Sequence, residues 1–172
     1  MQIAIKCAHD KIVPLDQLKP NPRNPNMHSQ AQIALLAKIM SEQGWRNPIV
    51  VSKRSGFVVS GHGRLLAARE LQLKSAPVDF QQFKTDADEL AHLIADNRIA
   101  ELAELNRSML RDLVEELDTG AFDMDLTGFD TGALEELMTA APPEEFPIVD
   151  DNIPIDFKCP KCGYKWSGKA EA

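Results

Sequence analysis

A chain of 172 residues, 44% hydrophobic and 26% charged, has the length and balance of one ordinary domain with appendages, and no apolar run approaches the ~18 residues of a membrane span. The opening residues MQIAIKCAHDK lack the apolar core and cleavage site of a signal peptide, and three cysteines, two of them in one C-x-x-C, do not make a secreted disulfide framework, so the pattern points to the cytoplasm. The net charge of −7 argues against strong nonspecific DNA binding by the chain as a whole, because such binding rests on neutralising phosphates.

In chain order, Lys11–Val13 reads as a short strand, followed by a loop with Pro14, Pro20, Pro22 and Pro25. Ser29 caps a helix and Gln32 completes a capping box. Ile33, Leu36, Ala37 and Met40 fall at i, i+3, i+4 and i+7, which makes one apolar face, and Gly44 stops the helix. Ile49–Val51 and Phe57–Val59 read as strands joined tightly through Lys53, Arg54, Ser55 and Gly56. A helix over Gly63–Leu73 and a strand over Ala76–Phe80 then suggest a compact crossover unit.

From Thr85 the chain becomes helical and acidic. One helix covers Ala87–Leu102 with Leu90, Leu93 and Ile94 on one face. A second follows Asn106, carries Leu110, Leu113, Val114 and Leu117 on one face, and ends at Gly120. After the turn-rich FDMDLTGFD, Asp130 caps a third helix bearing Leu134, Leu137, Met138 and Ala141. The segment APPEEFPIVDDNIPID reads as a linker, and FKCPKCGYKWSGKAEA closes the chain. The organisation expected is an α/β (α+β) domain over 10–100, an acidic helical extension over 101–141, a linker over 142–157 and a small tail over 158–172.

Charge divides along these lines. Residues 11–75 carry ten Lys/Arg and three Asp/Glu, whereas residues 79–157 carry four and twenty-one. The basic part either binds a phosphate or nucleic acid locally or is attracted to the acidic part.

The stretch FVVSGHGRLLAAREL places two glycines, a histidine and an arginine where a strand becomes a helix. The first turn of a helix has N–H groups without intrahelical partners at the positive end of its dipole, and an anion there gains roughly 0.3–1 kcal/mol, or about 2 when partly buried. Gly61 and Gly63 permit a sharp turn and close approach to the backbone. Arg64 adds a forked donor for phosphate oxygens, and His62 a nitrogen that titrates near neutrality. The plainer alternative is a glycine turn with Arg64 paired to a carboxylate. Neither G-x-G-x-x-G nor a Walker loop is present.

In the tail, Cys159 and Cys162 sit in C-P-K-C-G, the shape of a zinc-ribbon knuckle. A structural zinc needs four ligands and only two are here, so Zn²⁺ would draw the rest from Cys7 and His9 or from a second subunit. A redox pair and a vestigial tail are the alternatives. Lys158, Lys161, Lys165 and Trp166 make either a basic, aromatic surface for nucleic acid or a solvated tail.

SGHGRLLAAREL resembles the G-x-x-R turn of the ParB/sulfiredoxin superfamily. VPLDQLKPNPRNPN is similar to that family's opening strand and Asn-Pro loop, and LIADNRIAELAEL to its later helix with an acid–Asn pair. The resemblance covers residues 10–118. It looks closest to ParB-like domains found alone in phages or joined to DNA methyltransferases, where DNR-AELA and LTGF recur. It implies a small mixed sheet with flanking helices. It also implies phosphates held by the backbone of Gly61, His62 and Gly63 and by Arg64, with Arg23 approaching from the proline loop. Asp96 and Asn97 would orient phosphate or a divalent ion, giving a catalytic set of His62, Arg64, Asp96 and Asn97. Asn97 also lies seven residues after Leu90 on the inward stripe, where an amide must find partners, and a structural amide explains that equally.

Two departures matter. The cysteine that follows the turn's first glycine in sulfiredoxins is His62 here, which argues against a sulfinic acid reductase. The Glu and arginines of chromosome-partitioning ParB proteins are missing, and an acidic helical segment follows instead of a basic reading helix, which argues against partition-site reading and a sliding clamp. In kinase-like and nuclease-like relatives the turn takes the form G-x-[HGR]-R, making His62 a general base, a metal ligand or a hydrogen-bond donor to phosphate. The function implied is binding of a nucleoside triphosphate, ATP or CTP with Mg²⁺, in DNA modification, cleavage or partition, as an NTPase or nuclease. The alternative is a non-enzymatic adaptor. Implied partners are DNA, a DNA methyltransferase or another phage DNA-processing protein, and a second copy in a homodimer.

Overall fold

A computed structural model of the chain describes residues 3–139 and 157–166. The chain divides into two compact units, Met1–Met138 and Thr139–Ala172. The linker expected over 142–157 lies outside the described residues except for Phe157, as do Ala141 and the end of the tail.

The first unit is built on a five-stranded mixed sheet in the order β1-β5-β3-β4-β2, with β1 at Lys11–Pro14, β2 at Lys19–Pro20, β3 at Ile49–Ser52, β4 at Phe57–Ser60 and β5 at Ser75–Gln81. The apolar runs IVVS and FVVS lie inside the sheet, where Ile49, Val51, Val58 and Val59 are buried. The two edges are short: β1 begins on Lys11 and ends on Pro14, and β2 is only Lys19 and Pro20.

β4 runs antiparallel to β3 and β5 parallel to it, so they flank β3 on opposite sides. This corrects the crossover expected around the helix. The parallel pair is β3 and β5, and the crossover that joins them consists of β4 together with α2, His62–Glu70. α2 stops at Glu70, short of the expected Leu73, because Gln72 turns into the left-handed region at φ 54°.

α1 spans Gln30–Gln43, packs on α2, and buries Ala37 and Met40 with Ile33 and Leu36 against the core. Ser29 caps it by accepting from the Gln32 N–H, but the Gln32 side chain reaches His28 and does not return to the Ser29 backbone, so the expected box is half made. The reciprocal box forms instead at Thr85 and Asp88, at the start of α3, Asp86–Glu101. Trp45 is 2% exposed and exchanges backbone hydrogen bonds with Ala4 and Lys6, so residues before position 10 belong to the packed unit and Ile3 joins its core.

α3 lies on β4 through Leu93, which is fully buried, and through Glu89. Ile94, expected on the inward face, is 51% exposed. The carboxylate of Glu89 accepts from the Ser52 and Ser55 hydroxyls at 2.5 and 2.6 Å, which satisfies a charge that would be costly to bury alone. α4, Arg107–Leu117, is capped by Asn106, and α5, Thr131–Met138, by Asp130. α4 ends at Leu117, before Gly120, and buries Val114 while Leu113 and Leu117 stay exposed.

Two cations of the basic part meet the acidic part: Lys38 pairs with Asp123 and Asp125, and Arg54 with Asp86. The second unit contains an antiparallel hairpin of β6, Phe157–Lys158, and β7, Lys165–Trp166.

Candidate nucleotide-phosphate site

The turn that opens α2 is held by backbone chemistry. Gly61 sits at φ 90°, ψ 26°, in the left-handed region at the N-cap, and has no side chain to satisfy the first free N–H groups of the helix. A cavity of about 190 Å³ adjoins it, lined by Asn24, Asn26, His28, Leu36, Val59, Gly61, His62, Gly63, Arg64 and Asn97. His28, two residues before α1, and the start of α2 border one space, to which α2 contributes its positive dipole end.

Arg64 is half-buried. Its Nη2 donates to the Pro48 carbonyl at 3.1 Å, and its Nε is enclosed without a partner. The guanidinium packs over the turn, 3.0–3.3 Å from where a Cβ on Gly61 would stand. No carboxylate forms an ion pair with it among the described residues, which removes the plainer alternative of a structural Arg–carboxylate pair. Burial lowers its pKa, with Asp96 and Cys7 opposing. A half-buried guanidinium whose Nε is enclosed without a partner, with only the more distant charge of Asp96 to offset it, gains from a bound anion.

His62 is pinned from the proline loop: its Nε2 accepts from the Asn21 N–H at 3.3 Å. Burial, then the neighbouring His28, lower its pKa, with Asp96 opposing. A neutral ring whose Nε2 accepts must carry its proton on Nδ1, and it is therefore a donor at that atom. This arrangement suits contact with an anion better than proton abstraction through Nε2.

Gly61, His62, Gly63, Arg64 and Asn97 thus meet at one cavity. Asn97 Nδ2 donates to the Leu93 carbonyl of its own helix, leaving the amide oxygen and a second N–H. Asp96 is exposed and does not line the cavity, but it acts electrostatically on both His62 and Arg64. Arg23 lies elsewhere, in a neighbouring recess with Ser55, Phe57, Asp86 and Glu89. The asparagines of the loop and His28 were not singled out from the sequence. The signal was there in NPRNPNMHS, where Asn21 and Asn24 accept from backbone N–H groups two residues on and shape the loop into a wall.

Away from this site, Cys7 packs against the core, burial raises its thiol pKa, and His9 Nδ1 bonds the Cys7 carbonyl. Cys159 and Cys162 are free thiols on the β6–β7 turn. The N–H groups of Cys162 and Lys161 lower the Cys159 pKa. Among the described residues, no group of three or more His, Cys, Asp or Glu is placed to hold a metal, and no helix is long and apolar enough to cross a membrane.

Comparison with known proteins gives two family matches: the ParB N-terminal domain over residues 4–98 and the ParB-methyltransferase HTH domain over residues 108–160. The second was not foreseen, because the charge pattern gave only an acidic extension. The ParB-like nuclease domain-containing protein YnaK of Escherichia coli (strain K12) is 38% identical over 65 residues, which is 38% of this chain and 74% of YnaK. Among solved structures, the C-terminally truncated chromosome-partitioning protein ParB from Caulobacter crescentus, complexed with CTP-gamma-S, aligns at TM-score 0.59 and 22% identity over 74% of this chain and 76% of that one. Sulfiredoxin from Arabidopsis thaliana aligns at TM-score 0.40 and 23% identity, over 49% of this chain and 98% of its own.

Proposed function

The chain belongs to the ParB N-terminal domain family, and on that premise we propose that its 61–64 turn binds the phosphates of a nucleoside triphosphate, CTP before ATP, in a DNA transaction. The observation that carries the reading is the half-buried Arg64 guanidinium, whose Nε is enclosed without a partner and which makes no ion pair among the described residues, beside a cavity at the start of α2. Free amides of the turn and the Arg64 fork would take phosphate oxygens, and His62 would donate from Nδ1. The partition protein crystallised with CTP-gamma-S is the reason to place CTP first.

Mg²⁺ carried in with the nucleotide would polarise phosphoryl oxygens, with Asn97 facing it from the cavity wall and Asp96 adding charge from outside the cavity. Hydrolysis on this reading is slow, because the turn amides and Arg64 stabilise charge while no side chain lining the cavity is set as a base. Zn²⁺ at Cys159 and Cys162 belongs to the same reading as a structural ion. Arg23, from its neighbouring recess, has the smaller part. The basic segment 11–75 is the surface for DNA.

Thermal shift with CTP, ATP and GTP, each with Mg²⁺, tests this on wild type and Arg64→Ala. A ligand at 100-fold its Kd adds about 2.7 kcal/mol, which raises Tm by several degrees. Arg64→Ala should cut the rise by about half or more. No rise with any nucleotide rejects the reading. Plasmid nicking lost in both Arg64→Ala and Asn97→Ala would make the activity that of a nuclease at this site.

A second reading, the adaptor, is favoured by one observation. The segment matched to the HTH domain, residues 108–160, carries fourteen Asp/Glu and two Lys/Arg. That balance repels a phosphate backbone. α4 also leaves Met109, Leu113 and Leu117 exposed. On this reading the segment docks a DNA methyltransferase, and Met109→Asp with Leu113→Asp would release it without altering nucleotide shifts.

A further inference from the structure

We propose that Cys159 and Cys162 form half of a tetrahedral zinc site whose other two thiolates are the same cysteines of a second copy of the chain. The inference deepens the reading of the tail as a zinc site and rests on it. The hairpin brings both cysteines onto one tight loop: the Cys159 N–H donates to the Tyr164 carbonyl at 2.7 Å, and the Gly163 N–H donates to the Cys159 carbonyl at 2.9 Å. Gly163, at φ 79°, closes that loop tightly, and both cysteines are free thiols.

The hairpin also lacks the means to hold itself. Its two strands have two residues each, and among the described residues its rings stack on one another, Phe157 on Trp166 at 5.6 Å and Tyr164 on Trp166 at 6.2 Å. Tyr164 is 69% and Trp166 37% exposed. A hairpin so small and open requires a staple.

The ligand count decides where the staple comes from. Structural zinc takes four N/S ligands. Residues 139–172 hold two cysteines and no histidine. The chain's third cysteine, Cys7, packs against the core of the first unit, with His9 tied to its carbonyl. A second hairpin related by a two-fold axis supplies the missing pair without disturbing that core. Four thiolates around Zn²⁺ leave a net charge of −2, and Lys158, Lys161 and Lys165 of each hairpin surround it with compensating charge.

The test uses the full chain, purified reduced and free of nucleotide. Zinc content is measured beside native mass, and cobalt(II) replaces zinc for spectroscopy. The expected result is one zinc per two chains at twice the 19.1 kDa subunit mass. Cys162→Ser should lose the metal. Cys7→Ser should keep it, together with a four-thiolate cobalt spectrum, which two thiols per chain can give only by sharing. One zinc per chain in a monomer, or loss of zinc in Cys7→Ser, overturns the shared site and leaves the zinc reading standing. Reduced protein that takes up no zinc overturns both.

Discussion

Replacing Gly61 with alanine tests the geometry of the turn directly. The residue sits at φ 90°, where a side chain costs about 1–2 kcal/mol. The new Cβ would stand 3.0 Å from Arg64 Nη2, 3.2 Å from Nε and 3.3 Å from Cζ, so the guanidinium must give by a few tenths of an ångström. That shift strains the bond from Nη2 to the Pro48 carbonyl and forfeits part of the about 1.5–3 kcal/mol that a hydrogen bond from a charged group is worth. Loss of glycine's freedom in the unfolded chain returns about 0.4–1 kcal/mol. The net expectation is a loss of about 1–2 kcal/mol, read as a fall in the urea midpoint at unchanged slope. Nucleotide-induced shifts should shrink with it, because Arg64 is displaced. Gly63→Ala is the control. Its Cβ would meet His28 Cε1 and Leu36 Cδ2 at 3.3 Å, and the crowding is offset by about 1 kcal/mol of helix propensity, so stability should stay within about 1 kcal/mol of wild type. A Gly61→Ala protein as stable as wild type, with nucleotide binding intact, refutes the claim that the turn and Arg64 act as one device.

Three further outcomes are expected. Arg64→Ala should weaken nucleotide binding more than about tenfold by calorimetry, as loss of a forked charged contact predicts, while Arg23→Ala should cost less than about threefold; equal losses would bring Arg23 into the site. His62 is held below its ordinary 6.5, so the unfolded chain takes up its proton first as pH falls. The part of the stability that rests on neutral His62 is therefore constant above about pH 6.5 and declines as pH falls from there through the folded value, so wild type should lose more stability toward acid than His62→Gln; equal pH profiles contradict the burial. Ser52→Ala should cost about 1–3 kcal/mol in urea unfolding, since the Glu89 carboxylate loses a buried donor and the Arg54 and Ser55 N–H groups lose their acceptor, and it should leave nucleotide affinity unchanged.

Much of this architecture was legible because its signals are local. β-branched runs bounded by turn residues marked β3 and β4, and a spacing of 3, 4 and 7 marked the buried face of α1. The turn at Gly61 was legible for the same reason. What escaped depends on distant partners. Nothing near Glu89 says that two serine hydroxyls thirty-odd residues earlier will make its burial tolerable. The pairing of Trp45 with Ala4 and Lys6 joins segments some forty residues apart. Ile94 follows the helical period but falls beyond the width of the contact between α3 and β4. Arg23 and the asparagines share one loop, and only the folded path of that loop decides that Asn24 and Asn26 face the turn while Arg23 faces the next recess.

The brevity of β1 and β2 has a consequence for assembly. An open sheet invites another chain to add a strand, but here one border is a four-residue strand between Lys11 and Pro14, and the other is a Lys–Pro dipeptide. Proline offers no N–H to a newcomer, and lysine resists desolvation, so neither border can template further pairing. Recruitment of any companion, identical or foreign, is thereby left to side chains and ligands, whose engagement can be reversed, and the sheet is kept from fibrous growth.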